Sequence, residues 1–257
     1  MRTFSHPGYK RFLLSVGCLL SIHFTALFFL TLFRLVFFFS ANYDFPDQEH
    51  VGFMSIWPAF IRGVWFDNVI ACYILLIPLV AVSISALFNY YGKILWNVTC
   101  IFFSLFYGIV LLVTAANIPY FQYFFKIINS SVFNWFGYMN TTAGMVFGET
   151  SYYPPLIGFL LTLVLFIWLM RRLIRHFQRL LNTKNPSVFW LDRIYIFLTA
   201  GICIGLCLFG IRGRTGYNPI KVSAAYYCTD PFLNQLGISP VSVSYTHLRA
   251  HETAANL

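Results

Sequence analysis

The sequence predicts an all-α membrane protein with five transmembrane helices, a cytoplasmic N-terminus and an extracytoplasmic C-terminus. Hydrophobic residues make up 59% of the 257 residues and charged residues only 10%, whereas a water-soluble domain carries about 25% charged residues. The apolar residues form five runs, each close to the roughly 20 residues that cross a bilayer. Lysines and arginines lie at the ends of these runs, as topology signals do. The net charge of +9 therefore does not predict binding to nucleic acid.

The first run, residues 12–39, predicts a retained span. Its apolar core is longer than that of a signal peptide, and no small-x-small cleavage site follows it. Arg34 lies near its outer end, where the side chain can either snorkel to the interface or pair with Asp67. His23 lies in the middle of the run and predicts a neutral polar contact between helices rather than a proton relay.

Four further spans follow along the chain. The predicted ranges are 68–88, 94–116, 155–170 and 194–211. Pro78 predicts a kink in the second span. The basic stretch RRLIRHFQRL continues the fourth helix beyond the membrane. It predicts a stop-transfer signal that rests on anionic headgroups, and an acidic partner is the alternative.

The orientation follows from the distribution of lysine and arginine. With the N-terminus inside, the predicted cytoplasmic set is Arg2, Lys10, Arg11, Lys93, Arg171, Arg172, Arg175, Arg179, Lys184 and Arg193. The opposite set is Arg62, Lys126, Arg212, Arg214 and Lys221. The positive-inside rule thus predicts a cytoplasmic N-terminus and an outer C-terminus.

Three segments are predicted to lie outside the membrane on the C-terminal side. Residues 40–66 and 117–153 are outer loops rich in aromatic side chains, which predicts interfacial helices. Residues 212–241 are too polar to form a sixth span, so we predict an extracytoplasmic juxtamembrane linker after a transmembrane domain of residues 1–211.

Three stretches carry a resemblance to a known family. They are FIRGVWFDNVIACYILLIPL, ANIPYFQYFFKIINSSVFNWF and GIRGRTGYNPIKVSAAYYCTDPFLNQLGISP. Together with the five spans and the outward linker, they resemble the membrane half of bacterial lipoteichoic-acid-synthase-like sulfatases, which belong to the alkaline phosphatase and sulfatase superfamily. The resemblance implies a multi-pass protein of the bacterial cytoplasmic membrane that is part of a cell-envelope enzyme.

The resemblance also implies what the full-length enzyme would do. It would cleave or transfer a phosphate or sulfate ester at the outer face, as a phosphoglycerol transferase does, with a Thr or modified Cys or Ser nucleophile and a divalent metal such as Mn, Mg or Ca. None of this machinery follows the linker here. We therefore predict that this chain is a truncated membrane anchor with no catalytic, cofactor-binding or metal-binding residues and no activity of its own. Its expected partners are membrane lipids and the missing extracytoplasmic catalytic domain.

Five charged residues on the outer face are the candidate functional residues. They are Arg62, Asp67, Lys126, Arg212 and Arg214. We predict that they contact lipid headgroups beneath the catalytic domain, because arginine suits the geometry of phosphate. Ordinary anchoring at the interface is the alternative.

The C-terminal tail raises the question of a metal site. His247 and His251 share a helix face and Glu252 follows, as in a zinc site. However, residues 243–253 (VSYTHLRAHET) resemble one translated frame of the transposase adapter of sequencing libraries. Ser242, Asn256 and Leu257 fit the flanking adapter bases. We therefore predict that residues 242–257 derive from adapter DNA and that the histidines form no metal site.

Two other functions remain open. One is a complete small carrier or binding protein without catalytic activity, which predicts a natural end close to Pro240 and a polar cavity between helices. The other is a structural or sensor module that carries a different outer domain. The linker favours the enzyme anchor, because a carrier has little use for an outward segment of this length.

Overall fold

The computed structural model describes residues 6–41, 53–129, 148–181, 190–216 and 218–243, together with positions 138 and 144. The helices are α1 (Pro7–Ser40), α2 (Phe53–Leu87), α3 (Lys93–Phe124), α4 (Tyr153–Leu181), α5 (Trp190–Arg212) and the short α6 (Pro231–Leu236). The first five are long and apolar enough to cross a membrane, which confirms the predicted number of spans. The structure does not assign either end of the bundle to a side of the membrane.

The second helix corrects one sequence prediction. The sequence predicts that residues 40–66 form an outer loop along the interface, separate from the second span, but residues 53–66 are continuous with that span in α2. Pro58 and Pro78 both lie inside this helix. Proline is tolerated there because neighbouring helices and side chains satisfy the freed backbone groups. Of the other outer loops, residues 42–52 and most of 130–147 lie outside the described residues.

Helix α1 lies at the centre of the bundle. It packs against α2, α3, α4 and α5, while α2 also packs against α5 and α3 against α4. Phe12, Leu19 and Ile22 of α1 are completely buried. By contrast, large apolar side chains on the outside of the bundle are open, such as Phe28 at 65% and Phe197 at 68% exposure. A surface of this kind is suited to hydrocarbon rather than to water.

Several polar side chains inside the bundle form hydrogen bonds within a helix or between helices. The Ser15 hydroxyl donates to the carbonyl of Arg11, and the Thr31 hydroxyl donates to that of Leu27. His23 Nε2 lies 3.1 Å from Oδ1 of Asn68 on α2. The predicted role of His23 as a polar contact between helices is therefore confirmed.

The two ends of the bundle differ in structure. At the end that we call the basic face, the N-terminus of α1 meets the end of α4, where Arg11 donates to the carbonyl of Leu181 over 2.8 Å, and the start of α5, where His6 Nδ1 lies 2.7 Å from Asp192 Oδ1. The opposite end, which we call the C-terminal face, carries residues 213–216 and 218–243. There the side chain of Gln122 donates to the Ser40 carbonyl over 2.6 Å and joins α3 to α1.

The segment that follows α5 folds back onto the C-terminal face. It forms a 3₁₀ turn at Val222–Ala225 and then α6. Phe232 and Leu236 of α6 are almost fully buried, and the Phe232 ring lies 5.7 Å from that of Phe37 and 5.5 Å from that of Phe121. The predicted linker is thus a packed cap on the bundle, which we call the C-terminal cap (residues 213–216 and 218–243).

Candidate functional site

A buried arginine joins the C-terminal cap to the bundle. Arg34 is 6% exposed, and its Nη2 lies 2.6 Å from Oδ2 of Asp67, which is 2% exposed. Its Nη1 donates to the carbonyl of Leu236 and, over 3.0 Å, to that of Ile238. A single guanidinium therefore connects α1, α2 and the cap. We call this group the Arg34 cluster (Arg34, Asp67 and the carbonyls of Leu236 and Ile238).

The sequence expectation for Arg34 had two alternatives, and the structure shows the ion pair with Asp67 rather than a side chain that snorkels to the interface. The reason is that the cap covers this position. Under the cap the guanidinium cannot reach water, so its charge is compensated by the Asp67 carboxylate at Nη2 and Nη1 donates to two carbonyl oxygens.

Gly63 provides the space that Arg34 occupies. A Cβ atom on Gly63 would overlap the guanidinium of Arg34. Arg62 and Gly63 lie inside α2, and a glycine in a helix costs up to about 1 kcal/mol relative to alanine. The absence of a side chain at Gly63 lets the arginine lie directly against the helix backbone.

The cap is held together by its own side chains. Asp230 accepts a hydrogen bond from the Leu233 amide over 2.9 Å and caps the N-terminus of α6, with Pro231 in the first turn. Asn234 is buried, accepts from the Tyr227 amide over 2.9 Å and donates to the Cys228 carbonyl over 2.7 Å. The sequence analysis missed these residues, although Asp followed by Pro is a recognisable start signal for a helix.

Arg62 and Tyr227 form a second contact between α2 and the cap. The guanidinium of Arg62 lies 4.4 Å from the centre of the Tyr227 ring, and its Nε donates to the Ala224 carbonyl over 3.1 Å. The Tyr227 hydroxyl donates to the Ser55 carbonyl over 2.6 Å. Burial raises the pKa of Tyr227, and the neighbouring Cys228 acts in the same direction. The hydroxyl therefore stays protonated and able to donate at neutral pH.

The five candidate headgroup contacts lie in three places on the C-terminal face. Arg62 and Asp67 are on α2 beneath the cap and contact protein groups there. Arg212 and Arg214 are exposed where α5 ends, and Arg212 donates to the Gly216 carbonyl over 2.5 Å. Lys126 is exposed just after α3. Arg212, Arg214 and Lys126 are thus the three with side chains open to a lipid, and contact with headgroups stays a prediction for all five.

Potential metal ligands are dispersed among the described residues. Within this part of the chain no three His, Cys, Asp or Glu side chains come together as metal ligands would. His247, His251 and Glu252 lie outside the described residues. The Arg34 cluster itself joins a carboxylate to a guanidinium and two carbonyls, an arrangement that holds segments together rather than one that activates a nucleophile.

Comparison of the chain with protein-family models, with curated proteins and with solved structures finds no match. The resemblance to the sulfatase superfamily therefore stays a prediction.

Proposed function

We propose that this chain is the membrane anchor of a sulfatase-superfamily enzyme that cleaves or transfers a phosphate or sulfate ester at the outer face of a bacterial cytoplasmic membrane. The observation that supports this proposal most directly is the Arg34 cluster, because it fixes the C-terminal cap to the bundle at Leu236 and Ile238. A domain attached after such a cap starts from a defined height above the bilayer instead of from a flexible tether.

The physical advantage of the anchor lies in concentration and orientation. A catalytic domain held at headgroup height meets lipid substrates at a high effective concentration. The chemistry itself belongs to that domain, where a divalent metal would lower the pKa of the nucleophile and screen the charge of the ester. The described residues of this chain supply no set of ligands for such a metal, so their part is to bind, hold and orient.

Sequencing the source DNA outward from the codons for FLNQLGISP tests this proposal. We expect natural codons to replace the adapter-like sequence from about Ser242 and to encode an α/β domain with a Thr nucleophile and Asp and His metal ligands. A stop codon within a few residues of Pro240 would contradict the proposal and favour the carrier. A different outer domain would favour the structural or sensor module.

The exposed arginines at the end of α5 provide a functional test in a chain that carries the catalytic domain. Changing Arg212 and Arg214 to Gln should lower turnover of a lipid substrate by about tenfold or more, because each charged hydrogen bond to a phosphate contributes about 1.5–3 kcal/mol. Turnover of a soluble aryl ester should stay within about twofold, since that substrate does not contact the interface. Equal losses for both substrates would show that the arginines do not recognise the lipid.

A further inference from the structure

A groove on the basic face has the features of a ligand site. It lies between the first turns of α3 and the basic end of α4 and has a volume of about 540 Å³, within the range of about 300–1,000 Å³ that is typical of binding clefts. We propose that this α3–α4 groove binds the anionic phosphate headgroup of a membrane phospholipid. The C-terminal face and its proposed enzymatic partner are not involved.

The polar lining of the groove consists of hydrogen-bond donors. Arg171 and Arg175 of α4 contribute two guanidinium groups, and Asn97 and Gln178 contribute amides. Arg175 donates through Nε to the carbonyl of Arg171 over 3.2 Å, which orients its fork and leaves the terminal nitrogens for a ligand. No carboxylate is among the lining residues. Paired arginines without a carboxylate favour a phosphate oxygen as the acceptor.

Trp96 provides an independent sign that an acceptor is missing. Its indole lines the groove and is only 1% exposed. The indole Nε1 has no hydrogen-bond partner among the described residues. A buried N–H without an acceptor is unfavourable and rare in folded proteins. A ligand oxygen in the groove would satisfy this donor.

The apolar wall of the groove favours a lipid over a soluble anion. Cys100 and Ile101 of α3 and Ile174 of α4 line it next to the donors. Ile101 is 68% exposed on the outside of the bundle. An acyl chain can therefore continue along α3 while the phosphate stays among the arginines, as expected at the edge of a bilayer.

The electrostatic surroundings agree with an anionic ligand. Of the described residues on the basic face, the one carboxylate is that of Asp192, which is completely buried and bonded to His6. Arg172 and Arg179 lie on the same stretch of α4 but line a neighbouring depression with Trp168 and His176, and Arg175 borders both this depression and the groove. Arg172 and Arg179 offer a matched control, because their loss removes the same charge without altering the α3–α4 groove.

Native mass spectrometry of the full chain, purified in a neutral detergent, tests the proposal. The probes are palmitoyl-oleoyl phosphatidylglycerol and phosphatidylcholine with the same acyl chains, and inorganic phosphate is the soluble competitor. We expect one molecule of phosphatidylglycerol to stay bound and phosphatidylcholine to bind at least about tenfold more weakly. Both the R171Q/R175Q variant and the W96F variant, which keeps an aromatic side chain but removes the indole N–H, should lower phosphatidylglycerol affinity by about tenfold.

The R172Q/R179Q variant is the control and should keep the affinity within about twofold, since only the surface charge changes. Equal losses in both double variants would overturn the proposal, because general surface charge would then explain binding. Equal binding of phosphatidylcholine would overturn headgroup recognition, and displacement by millimolar inorganic phosphate would assign the groove to a soluble anion. Arg171 and Arg175 are exposed, so their replacement leaves the fold intact even if W96F unfolds.

Discussion

Replacing Arg34 by Gln should release the C-terminal cap and strongly destabilise the protein. The variant leaves the buried Asp67 carboxylate without its cation and removes charged donors from the carbonyls of Leu236 and Ile238. Breaking a buried pair in this way costs about 3–5 kcal/mol. Thermal unfolding in detergent measures the loss of stability, and Asp67→Asn should reproduce it.

The labelling rate of the Cys228 thiol measures whether the cap stays packed on the bundle. Its Sγ lies 3.6 Å from the Asp230 carbonyl and 3.5 Å from Asn234 Oδ1, and the residue is half-buried. With the other cysteines replaced by alanine, a water-soluble maleimide should label Cys228 at least about tenfold faster in the Arg34→Gln variant. Lys126→Gln is the control, because it removes an exposed charge from the same face. An unchanged labelling rate would show that the cap does not depend on Arg34.

Replacing Gly63 by Ala should destabilise the protein, although the same change in most helices is stabilising. The added Cβ would overlap the Arg34 guanidinium, and excess volume in a packed site costs about 1–3 kcal/mol. Gly201→Ala in α5 is the matched control. A Cβ there meets no atom within 4 Å, so the better helix propensity of alanine should stabilise by up to about 1 kcal/mol.

The two glycine variants together separate the effect of packing against Arg34 from the effect of helix propensity on stability. Opposite signs for Gly63→Ala and Gly201→Ala, with faster labelling of Cys228 in the first alone, are expected if Gly63 serves the Arg34 cluster. Stabilisation by both substitutions would show that the guanidinium can move away at little cost, and the cluster would then be a minor contributor to the fold.

A rigid cap has consequences for the proposed anchor. The cap contacts α2 through Arg62 and Tyr227 as well as through the Arg34 cluster. Because the cap contacts α2 at two places, both the rotation of the cap and its height above the bundle are restrained. We therefore expect that loss of Arg34 in a longer chain impairs turnover of lipid substrates more than turnover of soluble ones, since only the former require a fixed distance to the membrane.

The number of spans could be predicted from the sequence alone, and Asp67 could be named as one of two possible environments for Arg34. Both depend on strong local signals, namely apolar runs long enough to cross a bilayer and a charge inside such a run that needs a partner. The donor-rich stretch of α4 was also visible as RRLIRHFQRL. Its groove was not, because Trp96 is about 75 residues away in the sequence and only helix packing brings the two together.

The tertiary structure decided the start of α2 and the fold of the C-terminal cap. Trp and Phe side chains made residues 40–66 resemble a separate interfacial segment, yet neighbouring packing supports one continuous helix from Phe53. Helix α6 has only six residues, which is too short to be stable in isolation. It forms because Phe232 and Leu236 are buried at the end of the bundle and Arg34 binds the carbonyl groups that follow. A hydropathy average covers only residues that are neighbours in the sequence. These contacts join residues about 200 positions apart, and only the folded chain brings them together.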